Sequence, residues 1–202
     1  MSARGALGAL ALVGALAGCY NFEQFAPINQ TWRLVPSEST IHFVGIKNNA
    51  VGVPGGFTTL DGFIDGPKHS ALVEVKLGST DTGNPARDEN IRVHFFEVAS
   101  FPLARFEVAQ LPDVGSMGDV RVEVSGVLSM HGAALPLKIP VRASYDGGHR
   151  IRVRNAVPIV LSAHDLGMDA QLAALNAVCG HESLSGAIPV EVDLAFAPVA
   201  PD

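Results

Sequence analysis

Thr82–Val108 reads TGNPARDENIRVHFFEVASFPLARFEV, and this stretch decides the fold. A turn carrying Gly83 and Pro85 ends in the charged pair Arg87-Asp88. An apolar doublet follows, Phe95-Phe96, then a corner at Phe101-Pro102, then the strand-like run Arg105-Phe106-Glu107-Val108. Good helix formers and the Asp88-Glu89 pair near its start predict one or two helical turns over Ala86–His94.

Outward from this stretch the chain alternates. Val73, Val75 and Leu77 are separated by Glu74 and Lys76. Val122 and Val124 stand between Arg121, Glu123 and Ser125. Leu137, Ile139 and Val141 flank Lys138. Ile151 and Val153 sit among Arg150, Arg152 and Arg154, and Val190, Val192, Leu194 and Phe196 enclose Glu191 and Asp193. A period of two puts successive side chains on opposite faces of a sheet. Each strand then has one wet and one dry face, as antiparallel sheets allow. Turn formers punctuate the runs at Asp65-Gly66-Pro67, Pro112–Gly115, His131-Gly132 and Asp146-Gly147-Gly148. Short strands so closely spaced predict an all-β barrel or sandwich. Pro140 inside one run predicts an edge, a bulge or a barrel seam. A second helix is predicted over Asp169–Val178, with Asp169 as its cap, Leu172, Leu175 and Val178 on one face, and Gly180 at its end.

The Arg-Asp pair, then Phe-Phe, then Phe-Pro, then a strand, resembles the signature of the YceI-like polyisoprenoid-binding family. Other pieces resemble it in order along the chain: Trp32–Pro36 with Ser39 and Ile41-His42-Phe43, Gly56-Phe57 with Asp61-Gly62, Gly126–Gly132, and Asp165-Leu166-Gly167-Met168. The resemblance runs from Trp32 to about Phe196 and says least about the segment after Met168. It implies an antiparallel, lipocalin-like β-barrel of about eight strands with one or two short helices. It also implies a protein that binds a long apolar lipid and is not an enzyme.

Alternation alone leaves the interior open. Eight strands can enclose packed side chains or hold a small ligand, and composition by itself favours a filled interior. The resemblance implies a cavity for a linear polyisoprenoid of quinone or polyprenyl type, with no cofactor beyond that lipid. The wall residues expected on inward phases are Phe43, Phe57, Phe63, Val75, Phe96, Phe106, Val124, Leu128, Ile139 and Leu161. Arg87 and Asp88 are expected at the loop over the mouth, either touching ligand or, as the residue chemistry favours, pairing with each other and capping a helix.

The amino terminus reads as a targeting segment, to be excluded from the fold. Arg4 precedes a short apolar run, too brief to span a membrane comfortably, and Leu16-Ala17-Gly18-Cys19 reads as a bacterial lipobox. The expected organisation is a lipoprotein signal peptide over residues 1–18, an acylated tether over 19–30 and the barrel over 31–198. Cys19 would carry palmitate-type chains and anchor the protein to a membrane without crossing it. Tyr20 stands where an inner-membrane retention signal would place Asp, which favours the outer membrane, facing the periplasm.

A net charge of −6 with no dominant basic run argues against nucleic-acid partners. With Cys19 acylated, Cys179 has no partner in its own chain. It is then buried and inert, or joined to a second chain in a homodimer. Cys179-Gly180-His181-Glu182 also offers a soft metal or haem a thiolate and an imidazole at positions 179 and 181, but a single C-x-H is a weak motif. Ser, His and Asp occur without a Gly-x-Ser-x-Gly elbow. The alternatives to lipid binding are therefore metal or haem binding and a filled-barrel interaction scaffold.

Overall fold

The computed structural model describes residues 30–112, 118–147 and 149–199. Cys19, the segment 1–18, all of the tether except Gln30, and the turn at 113–115 lie outside the described residues. Among the described residues twelve strands form one antiparallel sheet. They are β1 (Thr31–Leu34), β2 (Thr40–Lys47), β3 (Val51–Phe57), β4 (Leu60–Asp65), β5 (Ser70–Lys76), β6 (Thr80–Asp81), β7 (Leu103–Val108), β8 (Asp119–Met130), β9 (Ala133–Tyr145), β10 (Ile151–Asn155), β11 (Ile159–Ser162) and β12 (Ala187–Pro198).

The pairings reduce these twelve to eight barrel staves. β12 meets β10 and β11 along one edge, and β1 and β2 along the other. β1 and β2 are thus one stave broken in the middle, as are β10 with β11, β3 with β4, and β5 with β6. β7, β8, β9 and β12 run unbroken. Each stave pairs with its neighbours in the chain, and β1 closes the ring on β12. The result is a closed antiparallel eight-stranded barrel with two helices, which leaves no long free edge.

The breaks have local causes. A 3-10 turn at Pro36–Glu38 separates β1 from β2, and Ser39 sews it to the last strand: its hydroxyl donates to Val35 O at 2.8 Å and accepts from Ala195 N at 3.0 Å. A second 3-10 turn, Leu77–Ser79, separates β5 from β6, where the Thr80 hydroxyl donates to Leu77 O. Pro140 lies at a seam. Its carbonyl accepts from Ala156 N, in the gap between β10 and β11, so its missing N–H faces a place where no strand needs it. The β8–β9 hairpin turns on His131 and Gly132, both at positive φ (52° and 78°), as a tight hairpin requires.

The helices share one end of the barrel. α1 (Pro85–Asn90) runs into a π-helical turn, Ile91–Phe95, and α2 is Asp169–Cys179. Asp169 does not cap α2. Met168 holds the cap position, fully buried, and Asp169 is the first helical residue, with its carboxylate 2.7 Å from His164 Nδ1. Gly180 ends the helix in the left-handed conformation, φ 62°. No helix among the described residues is long and apolar enough to cross a membrane.

Candidate functional site: an apolar cavity inside the barrel

The barrel is hollow. A cavity of about 380 Å³ runs through it, and among the described residues no Asp, Glu, Lys, Arg or His lines it. This departs from what composition alone favours, and the reason is side-chain size. Much of the inner wall is short: Gly45, Ala71, Val73, Val75, Ala104, Val122, Val124, Val141 and Ala143. Such side chains do not reach one another across eight staves.

Aromatic rings gather at the helical end. Phe43 on β2 and Phe57 on β3 stand 5.5 Å apart between ring centroids, Phe57 and Phe96 5.9 Å, and Phe96 and Phe95 5.1 Å, all tilted. Leu172 and Leu175 of α2, with Leu166 before it, complete that end of the lining. At the other end Leu111, Pro112, Ser144 and Tyr145 line the cavity, and buried Trp32 meets Tyr145 edge-on at 5.8 Å. Burial, and then the charge of Asp146, push the Tyr145 phenol upward, so it stays protonated at neutral pH.

Of the residues expected on the wall, Phe43, Phe57, Val75, Phe96, Phe106, Val124, Leu128, Ile139 and Leu161 line the cavity. Phe63 does not. Leu60, Gly62 and Ile64 form the buried phase of β4, and Phe63 faces outward in register with Arg33 and Leu72. Ile64 takes the wall position instead. Gly62 masks this phase in the sequence, because a glycine at an inward position gives alternation nothing to register.

Arg87 and Asp88 are not among the lining residues. They make no direct ion pair, and the cap of α1 is Asn84, whose side chain accepts from Arg87 N at 3.1 Å. Both instead grip Thr82. Asp88 Oδ1 accepts from Thr82 N at 2.9 Å and from the Thr82 hydroxyl. Arg87 Nε donates to that hydroxyl at 2.7 Å, and Nη2 donates to Thr82 O at 2.8 Å. With Asp88 only 5% exposed, this knot fixes the loop from β6 into α1, and through it the ring of Phe96.

Other motif residues explain themselves as close packing. A Cβ on Gly56 would stand 2.9 Å from His42 Nδ1 and 3.1 Å from Ile41 O, so glycine suits the close approach of β2 there. Leu166 and Met168 are buried beside Gly167 at positive φ, which roots the chain just before α2.

Cys179 is the last residue of α2, and His181 lies two residues beyond it. Among the described residues no three His, Cys, Asp or Glu side chains come together around a common point. Cys179 Sγ lies 4.0 Å from Asn90 Nδ2, across the α1–α2 seam.

Residues 32–196 match the YceI-like domain, which is nearly the whole barrel. The chain belongs to the YceI-like family. The matched range begins one residue into β1 and ends two residues before the end of β12. Among curated relatives it is 31% identical over 123 residues to a UPF0312 protein of Pseudomonas savastanoi pv. phaseolicola. That match takes in 56% of this chain, and the chain spans only 62% of the relative's length. A UPF0312 protein of Pseudomonas syringae pv. tomato matches to the same extent. Among solved structures, this YceI-like barrel is similar to a polyisoprenoid binding domain from Saccharophagus degradans implicated in plant cell wall breakdown. The TM-score is 0.77 with 25% identity, covering 84% of this chain and 99% of that one. Burkholderia cenocepacia BcnA shares the fold at TM-score 0.61 and 15% identity, over 80% and 98% of the two chains.

Proposed function

We propose that this protein binds a linear polyisoprenoid, of quinone or polyprenyl type, within the barrel. The observation that carries the reading is the uncharged, apolar cavity running the length of the interior. Its volume lies within the range of ligand pockets. The similarity to the polyisoprenoid binding domain of Saccharophagus degradans supports the same chemistry.

The mechanism is partition. Burial of each methylene-sized group contributes about 0.8 kcal/mol, and ordering and association costs offset much of the sum. Apolar contacts are non-directional, so the walls select for a slender chain more than for its exact identity. Among the described residues the polar side chains at the cavity wall, Ser144, Tyr145, Asn155 and Ser185, are neutral. They suit a binder better than a catalyst, since none supplies a charged acid or base.

We further propose that Cys19 is acylated and holds the barrel at the bacterial envelope, on the periplasmic side with the outer membrane favoured. The lipobox reading supports this. Incorporation of a palmitate analogue, lost in Cys19→Ser, would report it. An unlabelled wild type would sink it.

The deciding experiment for the ligand is organic extraction and mass spectrometry of the protein purified without detergent, alongside Phe57→Trp and Phe106→Trp variants. A stoichiometric isoprenoid series from the wild type, reduced in both variants, is the expected result. A clean blank from a host rich in such lipids would move the reading to an interaction scaffold.

A further inference from the structure

The two helices that close one end of the barrel are held very differently. The α1 side is fixed from within: Asp88, Ile91, Phe95 and Phe96 are all buried, and the Thr82–Arg87–Asp88 knot secures the loop before them. α2 has no buried residue in its whole length. Anchors lie just outside both of its ends. Before it, Met168 is fully buried. After it, Glu182 N donates to Asn48 Oδ1 at 3.0 Å, and Leu184 bridges to Lys47. Between those pins the helix meets the cavity through Leu172 and Leu175, each half-buried.

The closed position of α2 also carries a cost. Among the described residues, two buried side-chain oxygens lack a hydrogen-bond partner, Gln171 Oε1 and Asn176 Oδ1, and both belong to α2. A buried acceptor left unmade is penalised, and contact with water relieves it. The ties that oppose release are few. Gln171 Nε2 donates to Glu97 Oε2 at 3.1 Å, and Asn90 Nδ2 approaches Cys179 Sγ at 4.0 Å, a weak bond to sulfur. The lifted segment would stay helical, because Ala and Leu dominate it. Gly180, already left-handed, offers a pivot beside the second pin.

We infer that α2 is the gate of the cavity, swinging between Met168 and Glu182 to admit and release an apolar chain, while α1 and the aromatic cluster remain in place. This rests on the cavity being a binding site, and it names the route into it. Low local burial and few ties are the marks of a segment that opens well below the free energy of global unfolding.

The seam supplies its own test. Asn90→Cys places a second thiol across the seam from the native Cys179, and a disulfide between them would tie α2 to α1. The probe is N-phenyl-1-naphthylamine, whose fluorescence rises on entering an apolar site. With the disulfide confirmed by mass, uptake should be at least tenfold slower in the oxidised variant than after reduction, and the wild type should not respond to reductant. Equal uptake by both forms would overturn the gate. Amide hydrogen exchange on the wild type decides independently of the bridge. α2 should exchange at least tenfold faster than the paired centre of β8 and β9, and equal protection would overturn the gate as well. Because the probe is not an isoprenoid, failure to recover isoprenoid from the protein would count against the ligand assignment and leave the gating result standing.

Discussion

Phe106 occupies the space that a side chain at position 126 would need. A Cβ built on Gly126 would stand 2.5 Å from Phe106 Cζ and 2.7 Å from Glu107 O. β7 and β8 are neighbours here, and the ring lies against a strand position without a side chain. Gly126→Ala should therefore destabilise the barrel by about 1–3 kcal/mol, the usual cost of overpacking a filled site. Adding Phe106→Leu should recover part of the loss, although the backbone contact to Glu107 remains. Urea denaturation of the single and double variants measures this, and independent, additive losses would show that the two positions are not coupled.

The Thr82 knot should matter for stability through a buried carboxylate. Asp88→Ala strands the N–H and hydroxyl of Thr82 and should cost about 2–3 kcal/mol. Asp88→Asn keeps an acceptor oxygen and should cost less. Thermal unfolding of both variants distinguishes the two, and the same series in Arg87→Ala shows how far the knot acts as a unit.

Acid should loosen the gate end of the barrel. Hydrogen bonds from His131, 2.7 Å away, and then from Gln171 hold the Glu97 carboxyl below its ordinary pKa. A depressed folded-state pKa means that the stabilisation is fully present above the unfolded carboxylate value, about 4.3, and is lost as pH falls through the folded one. The protection factors of the α2 amides, with the intrinsic pH dependence of exchange removed, should therefore fall on descending below that range. In Glu97→Gln that fall should be reduced. An identical acid response in wild type and variant would show that Glu97 is not the group responsible.

On the outer wall, Asp193 receives Arg152 through two bonds of 2.6 and 2.9 Å and Arg154 through a third of 2.9 Å. These hydrogen bonds, with the charges of both guanidiniums, lower its pKa against a smaller opposing effect of burial. The group is partly exposed, so Asp193→Asn should cost only about 1 kcal/mol. The difference from wild type should shrink in high salt. A salt-independent loss, read by thermal melts at two ionic strengths, would assign the effect to hydrogen bonding alone.

Much of the barrel was legible because alternation is a direct imprint of a half-wet sheet. Val122, Val124, Ile139, Val141, Ile151 and Val153 all point inward as their spacing predicts. The breaks within staves were not legible. Ser39 and Thr80 act through hydrogen bonds to carbonyls whose positions depend on neighbouring strands, as with Ser39 and Ala195, 156 residues apart. The outward turn of Phe63 was hidden by Gly62. Hollowness was unreadable for a different reason: a valine that lines a void and one that fills a core look alike, and only the distance across the barrel tells them apart. Arg87 and Asp88 stood out as a pair, but their shared partner, Thr82, lies in the preceding turn, and nothing in the spacing names it.

The closure of β1 on β12 carries a consequence for the birth of the molecule. Val199 N donates to Thr31 O at 2.9 Å, and Trp32 faces Pro198 across the pair, so the domain's ends lie side by side. β12 is also the shared neighbour of β2, β10 and β11. A chain emerging amino end first, from a ribosome or a translocation channel, must carry the edges of β1 and β2 unsatisfied until residue 199 is free. Within the barrel, the last strand made is the one that seals the ring, and up to that moment the nascent domain is an open, adhesive sheet that needs shielding from its neighbours.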